Sequence, residues 1–261
     1  MKLFISSTGV WAGIFILILS QAGCATRSSN SAGAPQPLSR LQAIAKAHAE
    51  LAAQYYGRGQ PGVALEELDL ALTADPNYAP AYNVRGLVHM TLREYPQADE
   101  DFLHSLQLDG SDSDTHNNYG WFLCQQGREK ESMEHFMLAL RNPLYPTPAK
   151  AYLNAGLCAR KNGKTKEAED FLQKALAVQF DMPEALFGLA DLALTSGDYA
   201  GAKSYFLRFS KYATSLTAEN LWLAVRIERK LGDRNAESNY AMQLRQRFPE
   251  ARETQMMVYG Q

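Results

Sequence analysis

Residues 117–146 read NNYGWFLCQQGREKESMEHFMLALRNPLYP and contain two apolar helical patterns separated by a short polar turn. In the first pattern Tyr119, Phe122 and Leu123 share one helical stripe. The stripe of the second pattern consists of Met133, Phe136, Met137 and Leu140. Asn142-Pro143 is expected to end the second helix, because proline lacks the next helical N–H and disfavours helix at the preceding residue. A hairpin this short cannot bury both apolar faces alone, so the stretch predicts neighbours of the same kind.

The same pattern recurs along the chain with a spacing of 34 residues, lengthened once to 36. A small residue in the middle of each hairpin stands at Ala64, Ala98, Ser132, Ala168, Ala202 and Ala236. A large apolar residue follows four positions later, at Leu68, Phe102, Phe136, Leu172, Phe206 and Tyr240. Another small residue stands twelve positions before the small residue in the middle of the hairpin, at Ala52, Gly86, Gly120, Gly156, Ala190 and Ala224. Small residues at two facing positions let helices cross closely, and the large residue fills the gap beside the contact.

This pattern resembles the tetratricopeptide repeat, which has a period of ~34 residues. The resemblance covers roughly residues 45–250 and implies an all-α fold, a right-handed solenoid of six tetratricopeptide-like helical hairpins. The fifth and sixth units depart from the pattern, with Phe209 and Gln243 where a small residue is usual. Degenerate terminal units are what the ends of a solenoid require.

Composition and motifs give no indication of catalysis. The 261 residues are 46% hydrophobic with a formal net charge of −2, which suits a buried core and gives no reason to expect nucleic acid. The histidines have no metal-ligand spacing, and no nucleophile–base arrangement is recognisable. Residues 57–62 read G-x-G-x-x-G, but a helix rather than a strand precedes them, which favours an interhelix turn. We therefore expect no enzyme, no metal, no cofactor and no small-molecule substrate.

The first 23 residues read as a lipoprotein signal peptide. Residues 10–19 are an apolar run too short for a bilayer, which needs ~20 residues, and match a secretory signal. Ala22-Gly23-Cys24 resembles the end of a lipobox, although Gln21 stands where an apolar residue is usual. We expect lipidation of Cys24 and, because no aspartate follows it, transfer to the outer membrane. The alternative is ordinary cleavage after Ala25.

Residues 24–40 are rich in Ser, Ala, Gly and Pro and lack apolar periodicity. This composition predicts a flexible tether after the lipidated cysteine. Residues 41–261 then form the predicted repeat domain of six units.

Cys124 and Cys158 lie on the first helices of neighbouring units. Such helices stack side by side, so a residue facing forward from one can meet a residue facing backward from the next. In an oxidising compartment the pair can form a disulfide. Two buried free thiols are the alternative, since cysteine is among the most buried residues.

The working surface is predicted on the first helices, which line the concave face in this class of repeat. The partner-binding groove is expected to include Asn83, Leu87, Met90, Asn117 and Trp121. Amide side chains can hold an extended peptide backbone, and a tryptophan can anchor a partner. The alternative for Trp121 is packing against a neighbouring helix.

A narrower resemblance rests on several motifs together with the Ala-Gly-Cys signal, the tether and the six repeats. The motifs are Asn117-Asn118-Tyr119-Gly120, Phe122-Leu123, Leu144-Tyr145-Pro146, Asn154-Ala155-Gly156-Leu157-Cys158, Ala190-Asp191-Leu192 and Tyr205-Phe206. The chain resembles the PilF/PilW family of type IV pilus biogenesis lipoproteins. The resemblance implies a pilotin: an outer-membrane lipoprotein that helps the pilus secretin to reach the membrane, assemble or remain stable. Its expected partners are the secretin or other pilus-assembly proteins, bound through protein–protein contacts. The competing hypothesis is a general periplasmic tetratricopeptide lipoprotein that acts as an adaptor for peptidoglycan enzymes.

Overall fold

The computed structural model describes residues 39–259, so the predicted signal peptide, Cys24 and the tether up to residue 38 lie outside it. Within this range the chain forms thirteen α-helices and no strand. The helices are α1 Arg40–Gly57, α2 Pro61–Ala74, α3 Ala79–Leu92, α4 Tyr95–Leu108, α5 Ser113–Gln125, α6 Glu129–Arg141, α7 Pro148–Lys161, α8 Thr165–Val178, α9 Pro183–Ser196, α10 Tyr199–Tyr212, α11 Ala218–Leu231, α12 Arg234–Arg247 and α13 Arg252–Tyr259. Each odd-numbered helix up to α11 packs most closely on the even-numbered helix that follows it. The prediction of an all-α solenoid of six hairpins is confirmed.

Close contact between the two helices of a hairpin depends on the predicted small residues. A Cβ atom added to Gly120 would lie 2.9 Å from the Phe136 ring and 3.1 Å from the carbonyl oxygen of Ser132. At Gly156 a Cβ would lie 2.7 Å from the side chain of Leu172. Phe136 and Leu172 are fully buried, so neither ring nor branched chain has room to move away. The small and large repeat positions identified in the sequence are therefore the positions at which the two helices of a hairpin pack together.

The turn inside the third unit contains a residue in the left-handed region. Gly127 has φ 77°, and the two N–H groups at and after it donate to carbonyls of the helix that ends there. Glycine adopts this conformation without the steric cost of a Cβ atom. In the second unit the equivalent position is occupied by Arg93, with φ 63°, which is the one non-glycine residue of residues 39–259 in this region.

The lengthened spacing between units three and four accommodates a structured connection. Tyr145 is buried, and its hydroxyl donates to Asp114 Oδ1 at 3.1 Å. Asn142 Nδ2 donates to Ser113 Oγ at 3.3 Å, and the Leu144 N–H donates back to Asn142 Oδ1 at 2.9 Å. The connection is thereby bound to the start of α5, and Leu144 is left pointing into solvent.

A disulfide joins Cys124 of α5 to Cys158 of α7, with Cα atoms 5.9 Å apart. Both cysteines are buried, in a cluster with Phe136 and Ala155. Of the two alternatives that the sequence leaves open, the structure contains the bonded pair. The bond links the first helices on either side of the lengthened connection.

Helix α13 is a feature that the repeat pattern does not predict. It packs against α11 and α12, and Met256 and Met257 contact a cluster that includes Leu221 and Val225. The short α13 thereby covers apolar surface of α11 that α12 leaves open, as a capping helix does in a solenoid.

Two histidines of the third unit face each other in the core. His116 Nε2 lies 3.1 Å from the Gly110 carbonyl and must donate to it, so in the neutral ring Nδ1 accepts from His135 Nδ1 at 2.9 Å. Burial, and next the neighbouring His116, hold the pKa of His135 below its ordinary value. Burial in the folded state therefore favours the neutral form of His135.

Gly120→Leu should overpack the contact with Phe136 and lower the free energy of unfolding by ~1–3 kcal/mol or more. The matched control is Gly62→Leu, since Gly62 is a helical glycine with nothing within 4 Å of an added Cβ. Thermal unfolding followed by circular dichroism measures both variants. An unchanged melting temperature for Gly120→Leu would show that this contact does not determine stability.

Replacing the disulfide by Cys124→Ala with Cys158→Ala should lower stability by ~2–4 kcal/mol, because the bond closes a long loop in the unfolded chain. Denaturant unfolding of the oxidised protein and of the double variant measures the difference. Peptide mass spectrometry without reduction should recover the two cysteines as one linked peptide. Free alkylation of both in denatured, unreduced protein would contradict the bond.

Stability should fall as the pH drops through about 6.5, the ordinary pKa of histidine. The unfolded chain then binds a proton that His135, with its lowered pKa, does not take up in the folded state. His135→Gln keeps a donor for His116 and should show a shallower loss of unfolding free energy between about pH 7.5 and 5.5. His104→Gln is the control and should follow the wild type; identical slopes for all three proteins would refute the role of His135.

Candidate partner-binding surface

The inner face of the solenoid is formed by the first helices of the hairpins. Each of α1, α3, α5, α7, α9 and α11 contacts the next in this series. Among the second helices α2 to α12, no two contact each other within the described residues. The first helices are therefore drawn together and the second helices splayed apart, which makes the first helices the inner, concave side. The predicted groove residues all lie on these first helices, α3 and α5.

The apolar members of the predicted groove are only partly accessible. Leu87 and Met90 are half-buried and pack against a cluster that contains Phe102 and Tyr119. Trp121 is also half-buried and packs against the cluster around the disulfide. Trp121 therefore contacts a neighbouring helix, which was the alternative to a role as a partner anchor. Part of its surface nevertheless remains exposed.

The amide members of the groove are occupied in binding helices to one another. Asn83 and Asn117 are buried. Asn118 Nδ2 donates to Asn83 Oδ1 at 3.1 Å, and Asn154 Nδ2 donates to Asn117 Oδ1 at 3.0 Å. These two bonds join α3 to α5 and α5 to α7. The accessible amides of this series are instead the half-buried Asn118 and Asn154.

The repeat positions of Asn118 and Asn154 could have predicted these bonds between helices from the sequence alone. Both stand fourteen positions before the small residue of their second helix, Ser132 and Ala168. A shared polar residue at one repeat position predicts a contact between stacked units.

Two hollows lie further along the chain, in units four to six. One, of about 500 Å³, is lined by Leu157, Arg160, Phe187, Tyr212 and the connection before α11. The other, of about 240 Å³, is lined by Phe187, Asp191, Trp222, Arg226 and residues of α13. Phe187 and Glu219 line both, so the two hollows adjoin each other, and together we call them the recess. The groove residues predicted from the sequence lie in units two and three and miss these hollows, because neither the α10–α11 connection nor α13 belongs to the repeat pattern.

A chain of ion pairs crosses this recess. Arg160 Nη1 lies 3.0 Å from Asp191 Oδ2, and Arg226 Nη1 lies 3.6 Å from Asp191 Oδ1. The three residues come from α7, α9 and α11, so the pairs run across the first helices. All three side chains are partly exposed, which leaves the guanidinium groups able to pair with a carboxylate of a bound segment.

The outer side also has a depression, of about 760 Å³, between α6 and α8. Met133, Met137 and Phe171 form its apolar floor. In residues 39–259 no group of three or more His, Cys, Asp or Glu side chains could hold a metal ion. None of the helices in this range is long and apolar enough to cross a membrane.

Comparison with known proteins extends beyond the repeat itself. The tetratricopeptide repeat family model matches residues 149–181. The type IV pilus assembly protein PilF of Pseudomonas aeruginosa is 28% identical over 243 residues, which are 93% of this chain and 95% of PilF. The crystal structure of PilW, a widely conserved type IV pilus biogenesis factor, is 33% identical with a TM-score of 0.76, covering 82% of this chain and 98% of PilW. The solved structure of Pseudomonas aeruginosa PilF is 28% identical with a TM-score of 0.78, covering 85% of this chain and 99% of that one.

The repeat alone would show only the fold, since solenoids of this class carry many functions. The similarity to PilW and PilF instead runs through all the units and covers nearly the whole of both relatives. The family resemblance read from the sequence is thereby confirmed: the chain belongs to the PilF/PilW family of tetratricopeptide-repeat proteins of type IV pilus biogenesis.

Proposed function

We propose that this protein acts in type IV pilus biogenesis as an outer-membrane lipoprotein that binds a segment of the pilus secretin. It would assist the secretin in reaching the membrane, forming its ring or remaining stable. The observation that carries the proposal is the full-length similarity to the pilus assembly protein PilF. The binding is protein–protein, and the inner face is the surface offered for it.

The inner face suits an extended segment. Leu87, Met90 and Trp121 supply half-exposed apolar surface in units two and three, and Phe187 supplies it in unit five. Asn118 and Asn154 place amide groups between them, where they can bond to a peptide backbone. Aromatic anchors of this kind tend to dominate binding energy.

A lipid on Cys24 would confine this surface to the membrane in which a secretin must insert. Two or more acyl chains are enough for stable anchoring. Confinement raises the effective concentration of one partner near the other without any new contact. This supports anchoring and secretin binding as parts of one function.

Deleting the gene and blotting for heat-resistant secretin multimers tests the proposal directly. Loss of multimers with secretin monomer still present is the expected result. Normal multimers, with a peptidoglycan hydrolase released from the membrane instead, would replace the proposal by the adaptor function.

Trp121→Ala combined with Met90→Ala should reduce secretin multimers and surface pili, since truncating a buried anchor typically costs ~2 kcal/mol of binding or more. The matched control is Leu103→Ala with Met137→Ala, because these exposed residues lie on the second helices. Circular dichroism checks that both double variants remain folded. Normal multimers in the first variant but not in a Phe187→Ala variant would move the docking site to units four to six.

Cys24→Ser should remove the acyl chains and abolish fractionation with the outer membrane, with Ala25→Ser as the neighbouring control. Fractionation and intact-mass measurement of the purified protein read the result. A native protein without acyl mass, starting at Thr26, would show ordinary cleavage and end the anchoring part of the proposal.

A further inference from the structure

Four of the six most exposed large apolar side chains of residues 39–259 lie along one edge of the solenoid. Each hairpin folds back on itself, so the first helices all begin, and the second helices all end, along the same edge; we call it the start edge. Hydrogen bonds along this edge join ends of second helices to starts of first helices. Asn142 Nδ2, just after α6, donates to Ser113 Oγ of α5, and Arg247 Nη2 of α12 donates to the Leu216 carbonyl just before α11.

The six most exposed large apolar residues of 39–259 are Leu144 at 86%, Tyr259 at 78%, Phe180 at 67%, Val258 at 63%, Leu41 at 58% and Val178 at 54%. Val258 and Tyr259 form the end of α13, the last helix described. The other four lie at the start of α1, at the end of α8 or in the connections that follow α6 and α8. On the opposite edge Val63, Leu92, Tyr95 and Leu231 are no more than 39% exposed.

Leu144 and Phe180 are presented on connections that are held in place. The backbone of Leu144 bonds to Asn142, and the next residue, Tyr145, is buried. The Phe180 carbonyl accepts from Arg208 Nη2 at 3.3 Å, and its ring lies edge-on to Tyr212 with centroids 6.3 Å apart. Neither apolar tip covers the core, so folding does not account for its apolar character.

The chain enters the solenoid at this edge. Helix α3 begins at Ala79, and the equivalent position one repeat earlier is Ala45. Helix α1 begins at Arg40, so it has five additional residues at its start. The extra turn carries Leu41 about 6 Å beyond the starts of the other first helices at a rise of ~1.5 Å per residue. Residues 25–38 separate Cys24 from this point and span at most about 50 Å when fully extended.

We propose that the start edge lies on the surface of the lipid bilayer, with Leu41, Leu144 and Phe180 inserted into its interfacial zone. The proposal rests on the lipid anchor proposed above, because the chain enters the solenoid at this edge. The inner face is a different face of the solenoid and would stay open to the periplasm, with the stack of units running along the bilayer.

A bilayer fits this edge better than a protein partner. The apolar tips are separate and protruding, and each lies on a different connection or helix end. Such tips match insertion into a fluid surface, whereas protein hot spots occupy complementary pockets. Charges near the edge are of both signs, Arg141 and Lys211 against Asp109, Asp112 and Asp181, so insertion of apolar surface would drive the contact.

The test measures how deeply a fluorescent label on the protein enters the bilayer. The protein is purified in the form that cells process and is reconstituted into vesicles whose lipid acyl chains carry bromine, which quenches nearby fluorescence. A label goes on one introduced cysteine at a time: Leu144→Cys and Phe180→Cys on the start edge, with Leu92→Cys on the opposite edge and Met137→Cys on the outer side as controls. All four residues are exposed, so the variants should fold, which melting temperatures check. Bromine should quench the two start-edge labels several-fold more than the two controls.

A second arm removes the apolar tips. Leu144→Asp with Phe180→Asp should abolish the quenching of a label on Val178→Cys, an exposed start-edge residue, while Leu92→Asp with Met137→Asp should leave it unchanged. Quenching in zwitterionic vesicles should equal that in vesicles with phosphatidylglycerol, since apolar insertion needs no anionic lipid.

Equal quenching at all four positions, or no binding to vesicles, would overturn the inference. It would also fail if the start-edge labels became shielded only after a pilus protein was added, because the edge would then be a protein-docking surface. No secretin is present in these vesicle experiments. A failure of the edge inference therefore differs from a failure of the proposed function, which shows in the secretin multimers, and from a failure of anchoring, which shows in the mass of the protein.

Discussion

The close contact between a small residue on one helix and a large residue on the next is the interaction on which the rest of this structure depends. At Gly120 and Gly156 even one added carbon would overlap a buried neighbour. Because the contact recurs in each unit, every hairpin has nearly the same crossing, and the stacked units inherit a common geometry. A uniform crossing is what gathers the first helices on one side and separates the second helices on the other.

The junction of units three and four is where this regularity is interrupted and then restored. Two additional residues would loosen the stacking of α7 on α5. Tyr145 fills the space beside Asp114, the disulfide ties α5 to α7, and the Asn117–Asn154 bond lies on the same pair of helices. Three independent links at one junction keep the inner face continuous from unit three to unit four.

The faces of the solenoid have different chemistry, and this allows different tasks to coexist. The inner face combines half-buried apolar residues with amides in units two to four and a charged recess around Asp191 in units four to six. The start edge carries isolated apolar tips at Leu144 and Phe180. A membrane contact along one edge and a peptide along the inner face would not compete, because they use separate surfaces.

The sequence by itself determined the helical hairpins, their number, the repeat register and the family, because each follows from local periodicity and from small and large residues at fixed spacing. It placed Cys124 and Cys158 close together but left their bonding open. It did not reveal that Asn83 and Asn117 are buried in bonds between helices, that α13 covers the last unit, or that a recess surrounds Phe187. Those features were decided by the tertiary structure, since burial and recesses depend on how far one unit rotates on the next and on connections outside the repeat. No single unit of the sequence contains that information.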